Sequence, residues 1–352
     1  MSLVESPLVS VVIPVYNGGA FLAEAVRSVL GQTYQAFDLT IVNNCSTDAT
    51  LAVAEQLAAS DPRVRVQTNR EFLPVVDNHN IAVSCVSAKA TYFKVLGADD
   101  LLFPTCLEEQ VGLAERYPSV GMVSSYVLCG SRVGWDGLPF PSPFMSGRDV
   151  CRLRLLHNVR VFGNPSASIV RTSILNEMKP FYNPRNYYGE NDAYLTLLQR
   201  HDFGFVHQVL TYGRRDEDSR TAAYLGRVGA FPAAIVDELT KFGPAFLTPA
   251  ELHDTLAAAA VEYYRFLGRS VVEGRSAEFW DYHLKHFATM GHRPDRLRIA
   301  YHAAARLVDM ALNPKRTIEG AARRVRARAT RAVPAASAAA PAAVAPLSTI
   351  AH

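Results

Sequence analysis

The sequence predicts an α/β fold, a mostly parallel, doubly wound sheet flanked by helices, followed by a helical C-terminal region. Two observations carry this. Short apolar runs such as VSVVIPV (Val9–Val15) lack the polar alternation of a half-exposed strand, so both pleat faces are covered, as in a parallel sheet. Such runs then alternate with segments of helical spacing as far as Leu128, the pattern of successive β-α-β crossovers.

The elements follow in order. After Val9–Val15 the chain turns at Tyr16-Asn17-Gly18-Gly19, and Phe21, Ala25 and Val29 give Ala20–Leu30 a helical period. Leu39–Val42 is a second strand and Ser46–Ala59 a second helix. Val64–Gln67, Val75–Ser87 and Thr91–Leu96 continue as strand, helix and strand. Pro104–Tyr117 is a helix with proline in its first turn, and Val120–Leu128 a fifth strand. Gly130–Gly147 is rich in Gly, Pro and Ser and reads as a long loop over a site. Ala167–Val170 and Phe203–Tyr212 read as further strands. From Thr221 the texture is helical: Ala222–Phe242, Pro249–Leu267, Ser276–Met290, Pro294–Leu312 and Pro314–Arg331. Residues 332–352 are low-complexity Ala/Pro and are expected to be disordered. The expected division is 1–220, 221–331 and that tail.

Apolar residues make up 49% of the 352, enough for a sizeable core. Net charge is +3, unevenly spread: Arg293 to Arg331 holds eleven Lys/Arg against three acids. A basic C-terminal arm of +8 therefore follows a body of about −5. Its Arg323-Arg324-Val325-Arg326-Ala327-Arg328 run is expected to be a solvated helix, with weak peripheral contact to an anionic membrane as its possible use and no nucleic-acid partner. Five cysteines, with no CxxC, support neither a disulfide framework nor a zinc site and suggest a reducing cytoplasm. No apolar run is long enough for a signal peptide or a membrane span. His283 and His286 stand i,i+3 on a predicted helix, but no third metal ligand accompanies them, so a packing role is expected.

In an open α/β sheet, ligands bind beyond the carboxyl ends of the strands. Three ends here carry polar clusters: Pro14, Tyr16 and Asn17; Asn43-Asn44-Cys45-Ser46-Thr47-Asp48; and Asp99-Asp100. Ser46 or Thr47 can cap the following helix, whose N-terminus favours an anion. Two adjacent carboxylates at a strand end repel each other unless something positive joins them, and a divalent cation shared with a diphosphate would do so. As bland alternatives, Asp99-Asp100 caps the Pro104 helix, and Asn43–Asp48 is an ordinary turn.

The stretch VSVVIPVYNGGAFLAEAVRSVLGQTYQAFDLTIVNNCSTDAT resembles the opening of family 2 glycosyltransferases, which have the GT-A fold. The resemblance continues through Asn78-His79-Asn80, Tyr92–Pro104, GNPSASIVR (Gly163–Arg171), GENDAYLTLL (Gly189–Leu198) and Tyr212–Ser219. It implies an inverting enzyme that moves a sugar from a nucleotide-sugar, a UDP-sugar favoured, to a saccharide or lipid-linked acceptor in surface-polysaccharide or glycoconjugate synthesis. By the same resemblance Pro14, Tyr16, Asn17 and Asn80 line the nucleotide, and Asn43 or Asn44 meets the base. Asp99 binds Mg²⁺ or Mn²⁺ with Asp100 beside it. Asp192, whose spacing to Leu195 matches the family's E-D-x-x-L segment, is the catalytic base, with Glu190 as the alternative. The chain departs from the family pattern at Asn43-Asn44-Cys45 (usually D-D-G), at Gly97 (usually Asp), at Asn191 (usually an acid) and at Asp216 (usually His). The departures at Asn43-Asn44 and Gly97 keep a second reading open, a degenerate module that binds nucleotide or acts as a scaffold. A third, a nucleotidyltransferase, would need a basic Gly-rich loop after the first strand, and Gly18-Gly19 brings no basic residue.

Overall fold

The computed structural model describes residues 6–184, 189–214 and 220–313. The expected helix Pro314–Arg331, the tail and Asp216 lie outside the described residues. The chain runs β1 (Val9–Val15), α1 (Leu22–Leu30), β2 (Phe37–Asn43), α2 (Thr50–Ser60), β3 (Val64–Thr68), α3 (Val75–Ser84), β4 (Tyr92–Val95), β5 (Leu101–Leu102), α4 (Cys106–Arg116) and β6 (Val120–Cys129). Then come β7 (Arg132–Gly134), β8 (Phe144–Met145), α5 (Gly147–His157), β9 (Ile169–Arg171), α6 (Gly189–Leu197) and β10 (Asp202–Gly213). Five helices follow: α7 (Arg220–Val228), α8 (Phe231–Phe246), α9 (Pro249–Val272), α10 (Ala277–Thr289) and α11 (Arg296–Leu312).

The strands form one sheet in the order β3-β2-β1-β4-β9-β6-β10-β5, with β7 on β6 and β8 on β10. The long ladders, β1 with β2 and β4, β2 with β3, and β6 with β10, are parallel. The short β9 lies antiparallel between β4 and β6. Val15 stands opposite Asn43 and Val12 opposite Val95, so β1, β2 and β4 end at one edge of the sheet. The both-face apolar pattern of β1 has the expected consequence. Val9, Val11 and Ile13 enter a core under α1, α2 and α4, while Val12 enters the core on the opposite face, under α3, α5, α6 and α8.

Three parts differ from expectation. The 130–147 segment contains β7 and β8 rather than loop alone. Helix α5 was not expected, because arginines interrupt RDVCRLRLLH and one of them, Arg154, lies on its buried face with Val150, Cys151 and Leu155. The single helix expected over Ala222–Phe242 is two, parted at Gly229, whose φ of +62° suits glycine, with Pro232 in the first turn of α8.

Arg154 is buried because its guanidinium grips Glu238 of α8 through Nε (3.0 Å) and Nη2 (3.1 Å), and Asn191 of α6 donates to the same carboxylate (2.8 Å). Burial still pushes the Glu238 carboxyl above its ordinary range, against the pull of Arg154. Removing one partner of a buried pair strands the other charge, so Arg154→Ala should destabilise the fold by about 3 kcal/mol in urea unfolding. An unchanged midpoint would mean that the pair adds nothing.

The C-terminal helices have their own core of Tyr263, Leu267, Phe279 and Phe287. His283 belongs to it: one ring nitrogen meets the Tyr263 hydroxyl (2.7 Å) and the other the Val228 carbonyl (2.9 Å). Both positions a metal would use are occupied. Burial pushes His283 and His286 down to about 4, so both are neutral packing residues near pH 7.

Candidate functional site

The loops leaving β1 and β2 are laced together. Asn17, at φ +52°, accepts from the Thr47 N–H on Oδ1 (2.8 Å), and its own N–H donates to Ser46 Oγ (3.0 Å). The Gly18 N–H donates to Thr50 Oγ1 (2.9 Å) and the Gly19 N–H to Asp48 Oδ2 (3.2 Å). Ser46 and Thr47 therefore hold Asn17 instead of capping α2. Asp48 meets the first N–H of that helix, Thr50, at 3.0 Å. Cys45 has φ +54°, a conformation that favours glycine, which explains why glycine is usual at this position in the family.

Two asparagines act as clamps. Asn44 donates to the Leu73 carbonyl (2.8 Å) and accepts from the Leu73 N–H (2.9 Å) and from Asn69 (2.9 Å). Asn80 treats Tyr182 in the same way, at 2.8 and 2.9 Å. A side-chain amide pairing with both backbone groups of one residue pins a loop as a strand neighbour would. Asn43 is buried as well, accepting from the Ser46 N–H (3.1 Å) and donating to Thr68 Oγ1 (3.3 Å). Pro14 is buried inside β1. The loop pinned by Asn44 presents Phe72, 58% exposed, whose ring meets that of Tyr16 edge-on at 4.8 Å. Together they form an aromatic wall beside the end of β1.

The third strand end adjoins the first, because a Cβ on Gly18 would lie 3.5 Å from Ala98. Asp99 and Asp100 have opposite environments. Asp100 is buried, and both its oxygens accept hydrogen bonds: Oδ2 from Ser166 Oγ (2.5 Å) and Asn164 Nδ2 (3.1 Å), Oδ1 from the Arg214 N–H (3.2 Å). Burial, with the Asp99 charge adding, pushes its carboxyl up to about 6 against these donors. Asp99 is half-buried at the turn. Gly97 makes room for both, since a Cβ there would lie 3.2 Å from Asp99 Oδ1 and 3.0 Å from Asp100 Oδ2. Arg214, at the end of β10, donates from Nε to the Asp99 carbonyl (3.3 Å) and pairs with Glu24 (2.6 Å). Sequence reasoning gave no role to Phe72, Asn164, Ser166 or Arg214. Only the partial match of GNPSASIVR and of Tyr212–Ser219 to the family pointed toward the last three.

The α6 acids also part company. Asp192 is buried, bonded by Asn183 (3.0 Å) and paired with Lys241 of α8 at 2.6 Å. Glu190 lines a cavity of about 230 Å³ with Trp135, Arg160, Phe162 and Gly163. Gly163, one of the lining residues, is followed in the chain by Asn164 of the Asp100 clamp. Burial, aided by the Glu238 and Asp192 charges, pushes the Glu190 carboxyl up to about 7. Trp135 sits at φ +69°, strained for a bulky residue, and its buried Nε1–H has no partner among the described residues.

The described residues contain no cluster of three or more His, Cys, Asp or Glu that could enclose a metal ion. A half-buried carboxylate such as Asp99 is nevertheless of the kind that Mg²⁺ or Mn²⁺ uses, since such ions are commonly held by one or two carboxylates together with substrate phosphates.

Residues 10–177 match the Glycosyl transferase family 2 pattern. A glycosyltransferase of uncharacterised activity from Haemophilus influenzae is 29% identical over 203 residues, 55% of this chain and 61% of that protein. The match thus spans about three-fifths of that relative's length. Glycosyltransferase GlyG of Streptococcus pneumoniae is 27% identical over 61% of this chain and 73% of its own. Among solved structures, Staphylococcus aureus TarS 1–349 in complex with UDP-GlcNAc superposes with a TM-score of 0.59 at 16% identity, over 84% of this chain and 87% of that one. The mannosyltransferase PcManGT of Pyrobaculum calidifontis, in complex with GDP-Man and Mn²⁺, superposes with a TM-score of 0.51 at 17% identity, over 88% and 87%. The fold is GT-A, a central α/β sheet flanked by helices with a helical region after it.

Proposed function

We propose that this chain transfers a glycosyl group from a nucleoside-diphosphate sugar to an acceptor hydroxyl, with inversion at the anomeric carbon. One observation carries the reading: the ends of β1, β2 and β4 meet at a single edge, with an aromatic wall at one side and Asp99 at the other. That is the order in which a base, a ribose and a diphosphate follow one another. The match of residues 10–177 to the Glycosyl transferase family 2 pattern and the nucleotide-sugar complexes of proteins with this fold support the donor class.

The base lies against Tyr16 and Phe72. Because the Asn43 and Asn44 amides hold the protein's own loops, we assign the base contact to these rings and to loop backbone. UDP is the first candidate. Phe72→Ala should weaken nucleotide binding by about 1 to 3 kcal/mol, the worth of a base–aromatic stack, without changing the melting temperature. Equal affinity would remove the wall from the site.

Asp99 would hold Mg²⁺ or Mn²⁺ on the diphosphate, and Asp100, through Asn164, Ser166 and Arg214, fixes the turn that presents it. Held there, such an ion would supply positive charge where the leaving diphosphate gains negative charge. Glu190 takes the proton from the acceptor hydroxyl. The spacing of Asp192 to Leu195 favours Asp192 for this role by resemblance, but of the two α6 acids Glu190 is the one that lines the cavity, with a carboxyl poised near neutrality, where a general base works best. Asp192 anchors α6 to Asn183 and Lys241. The cavity beyond Glu190 receives the acceptor, with Trp135 as platform and hydrogen-bond donor. The test is release of nucleoside diphosphate from a panel of sugar donors, followed by anomeric analysis of the product. A retained configuration, or no turnover with any donor and simple saccharide or lipid-linked acceptor, would contradict the reading.

A further inference from the structure

Helix α11 is mounted on α9 by one face. Gly268 of α9 allows the close approach, since a Cβ there would lie 2.5 Å from the Cβ of His302 and 2.8 Å from the Ala303 backbone N. The opposite face is apolar and is covered by none of the described residues. Leu297, Tyr301, Val308 and Leu312 recur at helical spacing along it and are 82, 69, 56 and 75% exposed. At its start the stripe adjoins a cleft of about 280 Å³ lined almost wholly by apolar side chains, including Val271 and Leu284, which are themselves exposed. A run of this kind in water marks a surface that something covers.

We infer that this face docks on an anionic lipid bilayer, with α11 lying in the interface and acyl carbons entering the cleft. The occupant is argued from charge. Arg293, Arg296 and Arg298 are exposed at the start of the stripe. Both acids in this stretch are engaged: Asp295 caps α11, and Asp309 pairs with Arg306. In the sequence, seven more Lys/Arg and a single acid follow between Asn313 and Arg331, so the segment that begins at this stripe carries +8 against a body of opposite sign. An apolar stripe flanked by arginine, with a tyrosine at interface depth, suits a bilayer of anionic headgroups. The helix is too short and too mixed to cross the membrane, and no described helix is long and apolar enough to do so. The inference stands apart from the transfer reaction.

The test is co-sedimentation of the full chain with phosphatidylcholine vesicles containing one third phosphatidylglycerol. Wild type should bind, and Leu297→Glu with Val308→Glu should lower the partition coefficient by about tenfold or more, because each exchange replaces an inserting side chain by one the headgroups repel. Both positions are exposed, so melting temperature should be unchanged. Separately, Tyr301→Trp should give an added emission component that shifts blue with these vesicles and is quenched by brominated lipid. Three results would overturn the inference: equal partition of the double variant and wild type, no binding by wild type at low salt, or a lipid-free dimer that the double variant dissociates. The last would make the occupant a second copy of the chain.

Discussion

Replacing Glu190 by glutamine should lower turnover by about 10² to 10⁴, the usual worth of a positioned general base, while donor affinity stays within about twofold of wild type. The carboxyl titrates near 7 in the fold, and the base must be ionised. Wild-type turnover should therefore rise with pH through about 7, and this limb should vanish in the variant. Stability carries the opposite sign. The folded-state value lies above the ordinary 4.5, so the native state binds this proton more tightly than the unfolded chain does. The stabilisation is fully present below about 4.5 and is lost as pH rises through about 7. Glu190→Gln should accordingly melt higher than wild type at pH 8, relative to the difference between them at pH 4.5. Asp192→Asn should act instead through α6, by loosening the Lys241 pair, and should keep the pH limb. If Asp192→Asn lost the limb and Glu190→Gln kept it, the roles would be reversed.

Asp99→Ala should weaken metal-dependent binding of the nucleoside diphosphate on the order of 100-fold, because a charge-assisted contact to the ion is worth several kcal/mol when water is excluded. Its fold should survive, since Asp99 is half-buried at a turn whose tie to Asn164, Ser166 and the Arg214 N–H runs through the Asp100 carboxylate. Asp100→Ala should show the complementary pattern. It leaves those donors facing an empty place, so it should lower the melting temperature as well as the affinity. Calorimetry with and without Mn²⁺, paired with thermal melts, separates the two carboxylates. Equal loss of binding and equal melting for both variants would mean that they act as one unit.

The sheet was legible because parallel strands covered on both faces leave unbroken apolar runs, and β1 and β2 needed only that rule. Lys94 in β4 shows where the rule alone stops. Its ammonium is buried, donating to Gln110 (3.0 Å) and to the Ser168 carbonyl (3.1 Å), and burial lowers its pKa. Nothing local in YFKV reveals those partners, which are 16 and 74 residues away. Helix α5 was hidden for a related reason: its buried face includes Arg154, whose partner Glu238 lies in another helix. The strand-end clusters were legible as a set, through family motif and topology together. Their division of labour was not. Whether Asn44 reads a base or pins Leu73, and whether Asp100 or Asp99 faces the crevice, depends on loops that the sequence brings in from residues 69–73, 164–166 and 214.

The central claim, a metal-assisted nucleoside-diphosphate site at the ends of β1, β2 and β4, is tested most directly by titration calorimetry of the full chain with UDP, dTDP, GDP and CDP, each with and without Mn²⁺. One nucleotide should bind in the micromolar range only when the metal is present, and Asp99→Ala should abolish that difference. No binding by any of the four, or binding that is the same without metal and unaffected by Asp99→Ala, would contradict it.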